Sequence, residues 1–518
     1  MSHARDLTLA IDVGTGSARA ALVDATGRIL AIVAREYEQI VPAFGWSEQR
    51  PADWWASVVA SIWDVLRLVD GATVRVSAIA ACGQMHGTVL IDQSGRLTRE
   101  TAPLWNDKRT ASLVSAFEAA NAPADYLART GNPPTSAWPA FKLMWIRDND
   151  PAAYASARSM LMPKDYVNFR LTGEIAMDRT EAAASFLMDP RTGDWSAQTI
   201  AQLDLDRDKL PPIRKPTEIL GRLSIEAAAQ TGLLSGTPVL VGGGDYPVAL
   251  LGSGACRPGL GSDVTGTSCI ITQIVEAPLL DPEICNVGTV EGAWGAFILL
   301  ETGGDAMRWA RRAIHEKALS YDEIVVKAAE APAGSDRLFF LPYLAGERFG
   351  AGRNARAQFF GIGAAHGLAH LHRAVLEGVA MATTRHMRMM ERIAGRRLDR
   401  VVASGGGAKA DLWLAIKASC YGIPILVPSE PECGVVGCAA MAATATGRFA
   451  RVEDAAAAFV HYGREVFPDP RWEATYAKMQ PVFEKLYRHS QALYDYLDGL
   501  DVAPVSGQTN RPALSVQV

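Results

Sequence analysis

One six-residue pattern occurs twice in this 518-residue chain, and its spacing constrains the fold more than any other feature. Asp12-Val13-Gly14-Thr15-Gly16-Ser17 resembles Asp263-Val264-Thr265-Gly266-Thr267-Ser268, which lies 251 positions further along. Short apolar, strand-like segments follow both copies. A chain of this length is also too long for a single hydrophobic core. We therefore predict two similar halves that form two domains facing a cleft.

The glycine-rich segment 252–254 is the natural boundary between these halves. We expect an N-terminal domain of residues 1–253, a C-terminal domain of residues 254–500, and a mobile tail at 501–518 without hydrophobic periodicity. Near the N-terminus, three short apolar runs separated by turns predict an antiparallel meander. A helix at 51–70 and a strand at 74–81 are predicted to follow, which indicates an α/β fold.

Composition limits the class of protein. Hydrophobic residues make up 49 % of the chain and charged residues 21 %, with a net charge of −5, as is typical of globular proteins. This balance makes nucleic acid and anionic membrane surfaces poor candidates for the main partner. There is no apolar run long enough to span a membrane and no signal-peptide core. Seven scattered cysteines without a Cys-x-x-Cys pair favour free thiols and a cytoplasmic location.

Each copy of the repeated pattern places a glycine-rich turn directly after a predicted strand. The backbone amides of such a turn, with neighbouring hydroxyls, can surround a phosphate group. Asp12 cannot hold phosphate, but it can hold a magnesium ion that bridges phosphates. One such loop could equally be a hairpin turn with an Asx interaction. Two loops, one in each half, favour a phosphate clamp made by Thr15, Gly16, Ser17, Gly266 and Thr267.

Two further glycine runs follow predicted strands. The run at 242–244 precedes Asp245, a carboxylate that could accept a proton from a substrate hydroxyl. A helix cap or Asx turn is the alternative. Asp12 and Asp245 are our candidate metal-binding pair, in which Asp245 would also act as base. The run ending at Gly407 precedes a predicted helix from Asp411, whose N-terminus would favour anions, and a close strand–helix crossing is the alternative.

Two loops are candidates for binding a polyhydroxylated ligand. Met85 and His86 stand between two glycines after a strand, which favours a position in a cleft over one in the core. The segment from Trp105 to Arg109 combines an indole plane with an amide, a carboxylate and cations, and includes Asp107. Sugar hydroxyls need directional partners, and the C–H face of a sugar packs on indole. A solvated turn is the alternative for this second segment.

Taken together, these residues resemble the FGGY family of carbohydrate kinases. The resemblance runs from Leu7 to about Gly447 and is carried by about ten collinear motifs. Apart from the segments above, they include Gly45-Trp46-Ser47-Glu48-Gln49, Met162-Pro163-Lys164-Asp165-Tyr166, and 370–378. The loop Gly83-Gln84-Met85-His86-Gly87 looks like the xylulokinase branch of the family in particular.

The resemblance implies two ribonuclease H-like domains of the actin and hexokinase type, flanking a catalytic cleft. It implies transfer of the γ-phosphate of ATP to a sugar hydroxyl, with Mg²⁺ as cofactor and a possible homodimer. Asp245 would be the catalytic base, Asp12 would hold Mg²⁺, and Thr15, Gly16 and Thr267 would line the phosphates. The remaining implied contacts are with the nucleotide, at Gly304, Arg308, Gly407 and Asp411, and with the sugar, at Met85, His86 and Asp107.

The chain departs from the xylulokinase pattern directly after Asp245. Tyr246-Pro247 stands where small or amide residues are usual, and a phenol beside the base would reshape the sugar pocket. D-xylulose is therefore the first candidate substrate, and ribulose, L-xylulose, erythrulose and erythritol are alternatives. A non-catalytic sugar sensor and an actin-like ATPase fit less well, because the chain keeps both candidate carboxylates and both candidate sugar loops.

Overall fold

The structure is a computed structural model that describes residues 5–315 and 317–500. The predicted tail at 501–518 lies outside the described residues. The seven cysteines are all free and buried, as expected from their scattered positions. Among the described residues, no helix combines the length and apolar character that a membrane crossing requires.

The strands fall into two large sheets and five two-stranded ribbons within the described residues. In the first half they are β1 (Leu7–Val13), β2 (Ser17–Val23), β3 (Ile29–Glu36), β4 (Glu48–Gln49), β5 (Val76–Gly83), β6 (Val89–Ile91), β7 (Ala102–Pro103), β8 (Ser159–Leu161), β9 (Met177–Asp178), β10 (Met188–Asp189), β11 (Asp194–Trp195), β12 (Ile213–Arg214), β13 (Ile219–Arg222), β14 (Pro238–Leu240) and β15 (Gly243–Gly244). In the second half they are β16 (Leu260–Thr265), β17 (Cys269–Val275), β18 (Cys285–Gly288), β19 (Trp294–Leu300), β20 (Phe339–Leu341), β21 (Gln358–Phe360), β22 (Arg400–Ser404), β23 (Ile425–Pro428) and β24 (Tyr462–Val466).

Helices cover both large sheets. Those of the first half are α1 (Pro51–Arg67), α2 (Ala72–Arg75), α3 (Ala111–Ala120), α4 (Pro123–Thr130), α5 (Pro139–Asn149), α6 (Pro151–Ser156), α7 (Pro163–Thr172), α8 (Arg179–Ala183), α9 (Ala197–Gln202), α10 (Ile225–Thr231) and α11 (Asp245–Gly252). Those of the second half are α12 (Gly304–His315), α13 (Tyr321–Ala329), α14 (Leu368–Ala394), α15 (Asp411–Tyr421), α16 (Cys433–Ala445), α17 (Val452–Phe459) and α18 (Pro470–Asp498).

The N-terminal sheet has the strand order β13-β14-β5-β1-β2-β3, with β15 also paired to β5. The predicted meander is confirmed, because β1 pairs antiparallel with β2, and β2 with β3. The strand predicted at 74–81 runs instead from Val76 to Gly83 and is preceded by the short helix α2. Strand β5 lies parallel to β1, so Cys82 stands beside Asp12 at the same end of the sheet.

The C-terminal sheet repeats this plan in the order β18-β19-β17-β16-β22-β23-β24. Strand β16 pairs antiparallel with β17 and parallel with β22, just as β1 pairs with β2 and β5. Each copy of the repeated sequence pattern therefore forms the end of a central strand and the turn into its hairpin partner. The predicted pair of similar α/β halves is confirmed.

The two halves are joined by more than the chain itself. Helices α16 and α17, which follow β23, pack on the face of the N-terminal sheet that carries Ala10, Ala78 and Ala80. Helix α16 also packs along α11. Small side chains on the sheet and on α16 allow this close approach. Residues 433–459 thus bury their apolar surface against the N-terminal sheet, although the predicted boundary assigns them to the C-terminal domain.

Candidate active site

A cavity of about 570 Å³ lies between the two halves. Thr15, His86 and Asp245 contribute polar groups to its lining from the N-terminal half. The C-terminal sheet contributes a mostly apolar wall, made by Ile270, Val287, Phe297 and Leu299. A cavity at a domain interface with a few convergent polar groups is the usual form of a small-molecule site.

Asp245 is the first residue of α11 and lines this cavity. The chain reaches it through Gly242, whose φ of +74° places it in the left-handed region, and a Cβ atom there would overlap the carbonyl oxygen of Ala81. The backbone N–H of Tyr246 donates to Asp245 Oδ1 at 2.7 Å. Burial and the nearby charge of Asp12 raise the pKa of Asp245 from its ordinary 3.8 to about 7. A carboxylate with this pKa is suited to act as a general base at neutral pH.

Asp12 lies at the end of β1, and its two oxygen atoms have different environments. Oδ2 accepts a hydrogen bond from Arg19 Nη1 at 3.3 Å, and the same guanidinium lies 3.3 Å from Glu432. Oδ1 is buried and has no hydrogen-bond partner among the described residues. Burial raises the pKa of Asp12, and the charge of Arg19 opposes this shift. An unpartnered oxygen on a carboxylate whose charge acts on a second carboxylate, Asp245, fits the oxygen ligands that Mg²⁺ requires.

The first glycine-rich loop turns tightly between β1 and β2. Gly14 N–H donates to Ser17 O at 3.0 Å, and Ser17 begins β2. Trp105 Nε1 donates to Thr15 Oγ1 at 3.0 Å, so one candidate sugar residue contacts the candidate phosphate loop directly. Gly16 is exposed at the tip, with open space where a side chain would stand. The structure therefore brings Thr15 and Trp105 together at the cavity.

The second loop is held by the N-terminus of α12. Gly304 N–H donates to Gly266 O at 2.8 Å, and Asp305 N–H donates to Thr267 O at 3.0 Å. Arg308 Nη2 donates to Thr267 Oγ1 at 3.3 Å. The structure thus brings Gly266, Thr267, Gly304 and Arg308 into one cluster, as the implied nucleotide contacts require.

Asp263, the second-half equivalent of Asp12, has a different environment. It is fully enclosed, and both of its oxygens accept hydrogen bonds from Lys417 Nζ, at 2.9 and 2.7 Å. Tyr421 and Thr265 also donate to it, at 2.7 and 2.6 Å. Burial opposes ionisation, but Lys417 outweighs it and lowers the pKa of Asp263. This carboxylate is satisfied inside the C-terminal domain, whereas Asp12 in the first copy of the pattern keeps an oxygen without a hydrogen-bond partner among the described residues.

The third glycine run lies against the second loop but does not line the cavity. Gly407 packs so closely on Thr265 that a Cβ atom would stand 2.6 Å from Thr265 Cγ2. The close crossing considered as an alternative is therefore present. Asp411, the first residue of α15, is exposed and ion-paired with Arg464. The roles of Gly407 and Asp411 in nucleotide binding stay predictions.

Met85 and His86 both line the cavity. His86 has a φ of +70°, an uncommon conformation for a residue other than glycine that often occurs at functional sites. Its Nδ1 lies 3.1 Å from Ala184 O, and Lys142 Nζ donates to its carbonyl oxygen at 2.7 Å. Burial, with the charge of Lys142, lowers the pKa of His86 to about 3. The imidazole is therefore neutral, and because Nδ1 faces a carbonyl and must carry the proton, Nε2 is left as an acceptor.

Asp107 is not brought into the cavity. Arg109 Nε and Nη2 donate to its two oxygens at 2.9 and 2.7 Å, and Ser47 N–H donates to Oδ2 at 2.7 Å. The Arg109 guanidinium also contacts the indole rings of Trp46 and Trp145, at 3.8 and 4.8 Å from the ring centres. Asp107 thus ties two family motifs together inside the protein. The arginine two positions after it is the signal that sequence reasoning missed.

We expect Arg109→Met to lower the free energy of unfolding by about 3–5 kcal/mol, because it leaves the buried Asp107 carboxylate without its cation. The chain offers a matched control in Arg191, which binds Asp189 with the same spacing and the same contacts. The Arg191 side chain is 66 % exposed and that of Arg109 only 1 %. Arg191→Met should therefore cost less than about 1 kcal/mol. Equal losses in denaturant unfolding would contradict the structural role assigned to Arg109.

Tyr246 lines the cavity with its ring, but its hydroxyl is directed away from it. The phenol oxygen is hydrogen-bonded to Thr272 Oγ1 of β17, and the ring lies edge-on to Phe297 of β19, with centres 6.0 Å apart. The residue beside the candidate base is therefore anchored on the C-terminal sheet. Tyr246 therefore presents an apolar ring surface to the cavity.

Sequence reasoning also missed the C-terminal contribution to the cavity. Phe297 and Leu299 alternate with buried residues along β19 and face the cleft beside Ile270. Arg348 and Glu301 also line the cavity and are ion-paired at 2.7 Å. The alternation is visible in the sequence, but which of the two faces points to the cleft depends on how the halves pack.

Comparisons with known proteins agree with this geometry. The models of the FGGY family of carbohydrate kinases match residues 7–252 with the N-terminal domain and residues 262–446 with the C-terminal domain. The chain belongs to the FGGY family of carbohydrate kinases, as the sequence motifs predicted. It is thus a phosphotransferase with the two-domain actin- and hexokinase-like fold.

Individual relatives cover nearly the whole chain. The chain is 28 % identical over 495 residues to the xylulose kinase of Bacillus subtilis (strain 168), with 94 % of this chain and 97 % of that protein covered. The crystal structure of xylulose kinase from Rhodospirillum rubrum matches with a TM-score of 0.89 and 29 % identity, over 94 % of this chain and 100 % of that one. The crystal structure of gluconate kinase from Lactobacillus acidophilus matches with a TM-score of 0.89 and 26 % identity, over 95 % of this chain and 100 % of that one.

Proposed function

We propose that this kinase transfers the γ-phosphoryl group of ATP to a hydroxyl of a neutral ketose, with D-xylulose as the first candidate. The observation that carries the proposal is Asp245, a carboxylate with a pKa near 7 in the lining of the interdomain cavity. Similarity to xylulose kinases over nearly the whole chain supports the choice of sugar.

In this mechanism the sugar occupies the cavity with one hydroxyl at Asp245. The carboxylate accepts the hydroxyl proton as the oxygen attacks phosphorus, and the bond from phosphorus to the leaving ADP oxygen breaks. Thr15 and Thr267 belong to the two loops that would surround the transferring group. Mg²⁺ bound at Asp12, with Asp245 close by, would offset negative charge on the phosphates.

A neutral sugar fits the cavity better than an aldonic acid such as gluconate. Arg348 lines the cavity, but Glu301 compensates its charge at 2.7 Å. His86 is neutral, since its pKa is about 3. A carboxylate entering the site would therefore find no uncompensated cation on these two residues. His86 Nε2 would accept a hydrogen bond from a sugar hydroxyl instead.

The apolar wall favours a second candidate, a ketose or polyol other than D-xylulose. The ring of Tyr246 adds to the apolar surface of Phe297, Leu299 and Ile270. Hydroxyls that face such a wall lose their water without gaining a partner, which costs free energy. The number and direction of the hydroxyls that face this apolar wall differ among L-xylulose, D-ribulose, erythrulose and erythritol.

A sugar panel with coupled detection of ADP release tests both candidates. The wild-type protein with Mg-ATP is expected to turn over D-xylulose with at least a 10-fold higher kcat/KM than D-gluconate. Dominant turnover of another ketose or polyol would keep the kinase mechanism and assign specificity to the wall around Tyr246. Turnover of gluconate above all neutral sugars would contradict the charge argument. Absence of any sugar-dependent turnover would contradict the assignment of this sugar class.

A further inference from the structure

A buried cluster of four ionisable side chains lies behind the loop that carries Asp245. Lys164 Nζ lies 2.5 Å from Asp165, 2.9 Å from Asp178 and 3.2 Å from Glu181, and all four side chains are enclosed. The three carboxylates offer oxygen atoms within 4.8 Å of one another, a spacing that a metal ion could use. The ammonium group already stands between them, so the cluster contains its own cation.

The cluster is hydrogen-bonded to the backbone between the end of β14 and the glycine run at 242–244. Lys164 Nζ donates to Val241 O at 3.1 Å, and Asn168 Nδ2 donates to the same carbonyl at 2.8 Å. Burial alone would lower the pKa of Lys164, but the three carboxylates outweigh it and raise that pKa well above its usual range. Lys164 therefore stays charged and bound to the backbone three residues before the last glycine of the run.

Thr180 connects the cluster to the residue just before Asp245. Gly244 N–H donates to Thr180 Oγ1 at 3.0 Å, and Thr180 Oγ1 lies 2.5 Å from Asp178 Oδ1. A threonine hydroxyl has one hydrogen, and an amide N–H can only donate. The hydroxyl must therefore accept from Gly244 and give its hydrogen to Asp178. Both hydrogen bonds are fully buried and have a single possible direction.

Gly244 is the N-cap residue of α11, and Asp245 is the first residue of that helix. The position of the Gly244 amide thus determines where the helix starts and where its first carboxylate points. On the other side of the same residue, a Cβ atom on Gly244 would stand 2.8 Å from Met85 Sδ. The backbone at Gly244 is confined between Thr180 and the candidate sugar residue Met85.

We propose that Thr180 is a positioning residue for Asp245, held by Asp178 and Lys164, an assignment that rests on the proposed role of Asp245 as base. Thr180 itself does not line the cavity. It fixes the Gly244 amide so that the Asp245 carboxylate meets the attacking hydroxyl. A shift of about 1 Å in such a group can cost about 100-fold in rate.

Thr180→Val keeps the shape of the side chain and removes the hydroxyl. We expect it to lower kcat about 10- to 100-fold with less than a 3-fold change in the KM for ATP, and we expect Thr180→Ser to restore at least half of the wild-type kcat. Thr231→Val is the matched control, because Thr231 is equally buried and its hydroxyl only bonds the Ala227 carbonyl of its own helix. It should leave kcat within 2-fold of wild type.

Backbone amide hydrogen exchange, measured without sugar, tests the positioning separately from catalysis. Thr180→Val, or Thr180→Ala if the valine variant does not fold, should speed exchange in a peptide covering 241–246 at least 10-fold relative to Thr231→Val. Unchanged exchange together with unchanged kcat would overturn the inference. If wild type has no sugar-dependent turnover, the proposed function fails, and the exchange result alone decides whether Thr180 holds this loop.

Discussion

Asp245→Asn is expected to lower kcat for phosphoryl transfer by about 10²- to 10⁴-fold, because the amide cannot accept the proton of the attacking hydroxyl. The substitution keeps the size of the side chain, so the KM for ATP should change little. Single-turnover transfer with the preferred sugar measures the effect. Asp204→Asn, at a side chain that is 95 % exposed, is the control and should match wild type. A retained rate would move the base to another residue.

The same substitution should make the protein more stable at neutral pH. The pKa of Asp245 is about 7 in the folded protein and 3.8 for an ordinary aspartate. Because the folded-state pKa is the higher one, ionisation between these two values favours the unfolded chain, and stability falls as pH rises through this window. Asparagine removes this cost, so the thermal midpoint at pH 7.5 should rise by a few degrees relative to Asp204→Asn. A lower thermal midpoint for Asp245→Asn would show that the ionised Asp245 carboxylate does not destabilise the folded protein.

Asp12→Asn is expected to lower kcat by about 10²- to 10³-fold, since a bound divalent cation supplies several kcal/mol of charge stabilisation to phosphoryl transfer. The Mg²⁺ concentration that gives half-maximal rate should rise at the same time. The free Oδ1 atom of Asp12 is the reason for this assignment. If the rate falls while the Mg²⁺ dependence stays the same, Asp12 does not hold the ion.

The pH dependence of kcat/KM gives an independent test of the Asp12→Asn variant. In the wild type, kcat/KM for Mg-ATP, which reports the protonation state of the enzyme before Mg-ATP binds, should rise with pH through a midpoint near 7, as Asp245 loses its proton. Burial raises the pKa of Asp245 first, and the negative charge of Asp12 raises it further. Removing that charge should move the midpoint of the residual activity below 7. A midpoint that stays near 7 would show that burial alone controls the pKa.

Much of the candidate site could be predicted from local sequence. A glycine run before Asp245 indicates a constrained backbone, and Gly242 does adopt a positive φ that other residues rarely tolerate. The loop with Met85 and His86 lies in the cavity, as its flanking glycines indicated. These predictions succeed because turns and strand ends are determined by residues that are adjacent in the chain.

Predictions failed where a distant side chain decides the role of a residue. Asp107 was expected to bind sugar, but the Arg109 guanidinium, which contacts the rings of Trp46 and Trp145, donates hydrogen bonds to both of its oxygens. The paired arginine was visible in the sequence, but the two indoles that bury the pair come from segments far away. The apolar cleft wall was missed for the same reason, since alternation along a strand does not say which face meets the other domain.

The sequence by itself determined the family, the two-fold repeat of the architecture, and several of the loops that line the candidate active site. Only the tertiary structure shows which of the two aspartates of the repeat keeps an oxygen without a hydrogen-bond partner in the described part of the chain. Asp12 keeps an unpartnered oxygen near Asp245, whereas Lys417, 154 positions along the chain, neutralises Asp263 inside its own domain. Two similar local patterns thus place their aspartates in different electrostatic environments, because the free energy of a buried carboxylate depends on which charges the fold brings within a few ångströms of it.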